Sequence, residues 1–176
     1  MLQVFAFRTL SVVVGDLRFV DPEPLPGQEG AEQGVRLELR RVEQGTAPGT
    51  IYAARPIVVD APVWRADLLE SVDHPGSLDR AHHHPRFVGW DPVARHFVDE
   101  MGRDPVAWVG TRLSNLESIL DEAGVPPDTV DPEDADEMRA AVPEILDAVR
   151  HLLELARRPW TPSAEYGPAG LRAGWL

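Results

Sequence analysis

The chain contains no cysteine and no lysine. Without cysteine there are no disulfides, iron–sulfur clusters, thiol nucleophiles or classical zinc fingers. Without lysine there is no side-chain amine for a Schiff base, no P-loop lysine and no Ser–Lys dyad. All 17 basic residues are arginine, a bias that a GC-rich coding sequence produces on its own. No apolar run approaches the roughly 18–20 residues that span a bilayer. The apolar stretch 1–14 lacks a basic leader and a small-residue cleavage site, so it reads as strand and not as a signal peptide. The expectation is a cytoplasmic protein with no membrane partner.

The sequence also lacks a G-x-G-x-x-G loop, a G-x-S-x-G elbow, an H-E-x-x-H helix and a C-x-x-C pair. Its single asparagine, Asn115, is outside any glycosylation sequon. The acidic run 128–137 lacks the spaced aspartates and central glycine of a calcium loop.

What is present is 176 residues, 43% hydrophobic, enough for one domain with a real core. With 29 acidic residues against the arginines, the net charge of −12 argues against binding to a phosphate backbone, so no nucleic-acid partner is expected. Nine of the carboxylates fall within residues 117–137, where no basic residue occurs. Crowded at a helix start they suit the macrodipole, and the alternative is an acidic docking surface. Residues 80–96 have the opposite bias, with Arg80, Arg86 and Arg95 against Asp91 alone.

The first 90 residues read mainly as strands, at 2–7, 10–14, 35–40, 51–59, 63–69 and 87–90, with Pro56 marking an edge or bulge. After residue 90 the period becomes helical. Asp-Pro pairs at 91–92, 104–105 and 131–132 each place a capping aspartate before a proline at the first helical position. Three helices are predicted: 91 to about Met101; 104–123, stopped by Gly124; and 131 to about Arg157, kinked or broken near Val142 by Pro143. The fold class is therefore α+β. The β-rich N-terminal half forms an antiparallel sheet or small open barrel, and the three helices pack against it. Residues 1–158 form a single domain in this reading, followed by an irregular aromatic, proline- and glycine-containing tail, 159–176, suited to a second copy or a protein partner.

One stretch carries chemistry. His82, His83 and His84 are contiguous, and if they are extended, His82 and His84 point to one side and His83 to the other. Two neutral imidazoles two residues apart can share a divalent ion such as zinc, iron or manganese. A third ligand is then needed: His74, Asp79 or His96, which lie near in the sequence, or Asp60 or Asp67 from adjacent strands. Arg80, Arg86 and Arg95 would supply charge for a small anionic ligand, with the Asp91-Pro92 helix start adding backbone donors. A metal-dependent hydrolase is the enzyme this suggests. Three other readings stand beside it: a solvated histidine turn, a metal-free acid–base site, and a ligand-binding barrel-like module. A non-catalytic interaction protein would instead use residues 117–137 and the tail.

Overall fold

The computed structural model describes residues 1–159, so all but Pro159 of the expected tail lies outside the described residues. Five strands form an open antiparallel sheet in chain order: β1 (Leu2–Ala6), β2 (Leu10–Val20), β3 (Ala31–Gln44), β4 (Ile57–Ser71) and β5 (His82–His84). A small hairpin of β6 (Phe87–Val88) and β7 (Asp91–Pro92) follows. Helices α1 (Asp99–Arg103), α2 (Pro105–Ser114), α3 (Leu116–Ala123) and α4 (Asp134–Ala156) complete the order, with a 3-10 turn at Pro127–Thr129.

The two strands expected at 51–59 and 63–69 are one. β4 begins just after Pro56, and its Pro62 sits where the β3–β4 register shifts around Arg40, a bulge that spares the sheet a missing donor. Asp91-Pro92 does not open a helix. His96 and His83 exchange backbone hydrogen bonds of 2.8 and 3.0 Å, which keep the chain before α1 extended, so the first helix shrinks to five residues. Asp104 does cap as its spacing predicts, accepting from the Ala107 N–H at 2.9 Å with Pro105 behind it. That helix breaks at Asn115, so 104–123 is two helices, and Gly124 ends the second in the left-handed region. Pro143 does not interrupt α4. It and Arg139 both face solvent, so water can serve the Arg139 carbonyl that proline leaves without a donor.

Strand alternation assigns the two faces of the sheet. Val12, Val14, Val35, Leu37, Leu39, Trp64, Ala66 and Leu68 join Val109 and Leu113 of α2 and Met138, Ile145, Val149 and Leu152 of α4 in one buried core. The opposite set of residues on β3, β4 and β5 is Arg36, Glu38, Arg40, Arg65, Asp67, His82 and His84. This second face is charged and yet largely out of solvent, because residues 87–97 fold over it. Phe87 lies 5.8 Å from the Arg65 guanidinium, Trp90 5.6 Å from that of Arg40, and Phe97 5.5 Å from the His82 ring. No helix among the described residues is long and apolar enough to cross a membrane.

Candidate metal centre

Register builds the site. β5 pairs with β4 so that Asp67 lies opposite His82 and Arg65 opposite His84, and the period of two then turns all four side chains to one face. The Asp67 Oδ2 is 3.3 Å from His82 Nε2 and 3.6 Å from His84 Nε2, and the three side chains are between 1% and 5% exposed. Each imidazole is oriented from behind. His82 Nδ1 lies 2.8 Å from the Arg80 carbonyl oxygen, and His84 Nδ1 lies 2.6 Å from that of Val93. A carbonyl only accepts, so each Nδ1 carries the proton and donates it. In the neutral rings the Nε2 lone pairs are therefore the atoms that converge on the carboxylate, the same orientation that outer hydrogen bonds impose on metal-ligating histidines.

Asp67 is held by two guanidiniums. Arg36 Nε donates to Oδ1 at 2.7 Å and its NH2 to Oδ2 at 3.3 Å, and Arg65 Nε approaches Oδ2 at 3.1 Å. Burial works to raise the Asp67 carboxyl, but its partners, Arg36 foremost, outweigh it and hold the group well below the carboxylate range. Burial lowers His84, with Asp67 partly opposing, and Arg65 NH2 lies 2.9 Å from its Nε2.

Among the described residues, Asp67, His82 and His84 are the group whose ligand atoms all lie within 4.8 Å of one another. His74, Asp79 and His96 are not in it. His74 is exposed, with Nδ1 3.6 Å from Asp79 Oδ2, and Asp79 is tied by the Ser71 N–H at 3.0 Å and the Ser77 hydroxyl at 2.8 Å. His96 is exposed and meets His83. His83 points to the helix side, 5.0 Å from Trp108 and 6.3 Å from Trp64. Burial, with Arg112 next, pushes it down to about 4.

The three arginines do not form one pocket. Arg86 is exposed, Arg95 pairs with Asp21 and donates to Gln28 at 2.8 Å, and buried Arg80 has NH1 3.7 Å from Glu32 Oε1. Asp91 lies in β7, so no helix start supplies donors there. Glu32, Arg36, Glu38 and Arg40 are the members of this face that sequence reasoning missed. The alternation of 35, 37 and 39 toward the core already placed 32, 36 and 38 on the other side. Glu32 is 1% exposed and neither carboxylate oxygen has a hydrogen-bond partner among the described residues. Burial raises it, against Arg95, Arg80 and His82. Of the acidic segment, Asp131, Glu133 and Glu137 pair with Arg8 and Glu122 with Arg112, while buried Asp134 accepts from the Arg8 N–H at 2.8 Å.

Comparison of the chain with family models, with curated proteins and with solved structures finds no match in any of the three. The functional reading therefore rests on the chemistry of the site.

Proposed function

We propose that residues 1–158, as one α+β domain, hold a divalent metal ion at Asp67, His82 and His84 and use it to bind or act on a small anionic ligand. One observation carries this reading: with each Nδ1 turned to a backbone carbonyl, the Nε2 atoms of His82 and His84 face one Asp67 carboxylate oxygen at 3.3 and 3.6 Å. Lone pairs facing each other at that range repel unless positive charge offsets them; the Arg65 and Arg36 guanidiniums supply that charge here, and a divalent ion would supply it at closer range. Ligand atoms around a tetrahedral ion about 2.0–2.1 Å away are themselves about 3.3–3.4 Å apart, close to the two carboxylate–imidazole spacings found here, and all three ligand atoms lie within 4.8 Å of one another. The donor set suits zinc, and also iron(II) or manganese(II).

Arg65 occupies the centre, so loading requires it to release His84 and Asp67. Glu38, 4.0 Å from its NH1, is positioned to receive it. Turned toward Glu38, its guanidinium would remain close to the ion and available to an anionic group. Held there, the ion supplies a Lewis acid and lowers the pKa of bound water, the chemistry of metal-assisted hydrolysis. Net acidity and the absence of a basic tract argue against a nucleic-acid ligand, and the lack of cysteine fits a cytoplasmic role.

Elemental analysis and native mass spectrometry of untagged protein test this directly. One ion per chain is expected, lost in His82→Ala and in His84→Ala. Protein that holds no metal and gains no thermal stability from zinc, iron(II) or manganese(II) overturns the reading. Arg65 against His84 Nε2 favours one rival, a metal-free centre in which His82 and Asp67 share a proton, and that outcome would select it.

A further inference from the structure

The proposed centre is closed to solvent, and one feature marks how an ion would reach it. A surface cleft of about 480 Å³ is lined by Leu78, Asp79, Ala81, Phe97, Asp99 and Arg103 among others. Ala81 is the chain neighbour of His82. Phe97 both lines the cleft and packs its ring 5.5 Å from the His82 ring, while remaining 51% exposed. A large aromatic half in water, set against a buried imidazole, is only partly packed. Its side chain has two rotatable bonds and stands at the end of the extended segment that precedes the five-residue α1. On the cleft side, Asp99 presents an exposed carboxylate in the first turn of α1. Asp79 is kept anionic: burial works to raise it, and the Ser71 N–H, the Ser77 hydroxyl and Arg80 prevail and lower it. Arg103 is the opposing charge, with Nε donating to the Asp99 carbonyl at 3.3 Å.

Resting on the metal reading above, we propose that this cleft is the loading port of the centre: a hydrated divalent cation is drawn to Asp99 and Asp79, and the Phe97 ring is the gate that turns aside to admit it to His82. The gate controls rates in both directions and leaves the loaded state as it was, because Phe97 supplies no ligand. The carboxylates act at range, so their influence is on uptake and is screened by salt.

The experiment uses the full chain stripped by chelator, with cobalt(II) as the probe and its visible absorption as the readout. Uptake is followed by stopped flow, and release by adding excess chelator. Phe97→Ala is expected to speed uptake and release together by about tenfold or more, with the equilibrium affinity changed by less than about threefold. Asp99→Asn is expected to slow uptake a few-fold at low ionic strength, an effect that disappears at about 0.5 M salt. Both positions are exposed, so both variants keep the fold. Uptake and release in Phe97→Ala at the wild-type rates overturn the port while leaving the centre standing. No cobalt spectrum in any of the proteins overturns the centre and the port together.

Discussion

Asp67→Asn is the sharpest test of the buried charged face, because it removes one charge and almost no volume. In the native chain Asp67 is 1% exposed and neutralises two guanidiniums that are themselves only 15% and 12% exposed. The asparagine oxygen can keep one bond to Arg36 Nε, now 2.7 Å from Oδ1, but it carries no charge to offset either arginine. Breaking a buried ion pair by removing one partner costs about 3–5 kcal/mol, and the retained bond argues for the lower part of that range. In a domain of this size about 3–4 kcal/mol corresponds to a fall in Tm of roughly 6–15 °C. The measurement is urea or thermal unfolding of both proteins with chelator present, so that ion pairing is read apart from metal binding. Arg36→Met added to Asp67→Asn should recover part of the loss, since it withdraws the unpaired cation. Repeating the pair with zinc present should widen the difference, because the wild type alone retains its carboxylate ligand. A chelated Asp67→Asn within about 1 kcal/mol of wild type would refute the view that this face is held by Asp67.

Gly34→Ala should destabilise by at least about 3 kcal/mol in chemical unfolding. A Cβ there would meet the Leu68 carbonyl oxygen at 2.1 Å, and the backbone φ of +150° already disfavours a side chain. A variant with the wild-type urea midpoint would refute that packing. Arg157→Ala should cost about 2–3 kcal/mol at neutral pH, because it strips buried Glu70 of two 2.9 Å hydrogen bonds from one guanidinium. Burial works to raise Glu70, and Arg157 with the Gly76 N–H lowers it below its ordinary range. The stabilisation is therefore full above that range and lost as the pH falls through the native value, so the deficit of Arg157→Ala should shrink in acid. Glu32→Gln has the opposite pH signature. Burial raises the native Glu32 carboxyl, so ionisation penalises the wild type above its native value and not below the unfolded one. The stability of Glu32→Gln relative to wild type should fall as the pH is lowered from about 8 to about 4, and a flat difference would remove Glu32 from the set of strained buried charges.

The fold was legible where one residue type decides a local geometry. Asp104-Pro105 fixed a helix start, Gly124 a helix end, and the alternation in 35–40 the face of β3. It was illegible where a distant partner decides. Asp91-Pro92 carries the same local signal as Asp104-Pro105, yet the His83–His96 bridge keeps the following chain extended. Pro143 reads as a breaker in isolation, but on the solvent face of a helix whose other side is locked into the core it is tolerated.

The site divides along the same line. That His82 and His84 share a side follows from a period of two, and no partner is needed to see it. The third member is only partly legible: adjacent strands offer Asp60 and Asp67, but nearness along the chain favours His74, Asp79 and His96, and nothing local chooses among the five. Asp67 reaches the pair because β5 docks on β4 with Asp67 opposite His82, and a slip of one residue would present Ala66 or Leu68 instead. That register is fixed from the other face, where His83 must enter the cluster of Trp64 and Trp108. The middle histidine is thus the structural one of the three. Replacing it with a bulky aliphatic residue should loosen β5 and separate Asp67 from His82 and His84 without touching any of them. A His83→Leu variant that keeps full zinc affinity would show that the register is set elsewhere.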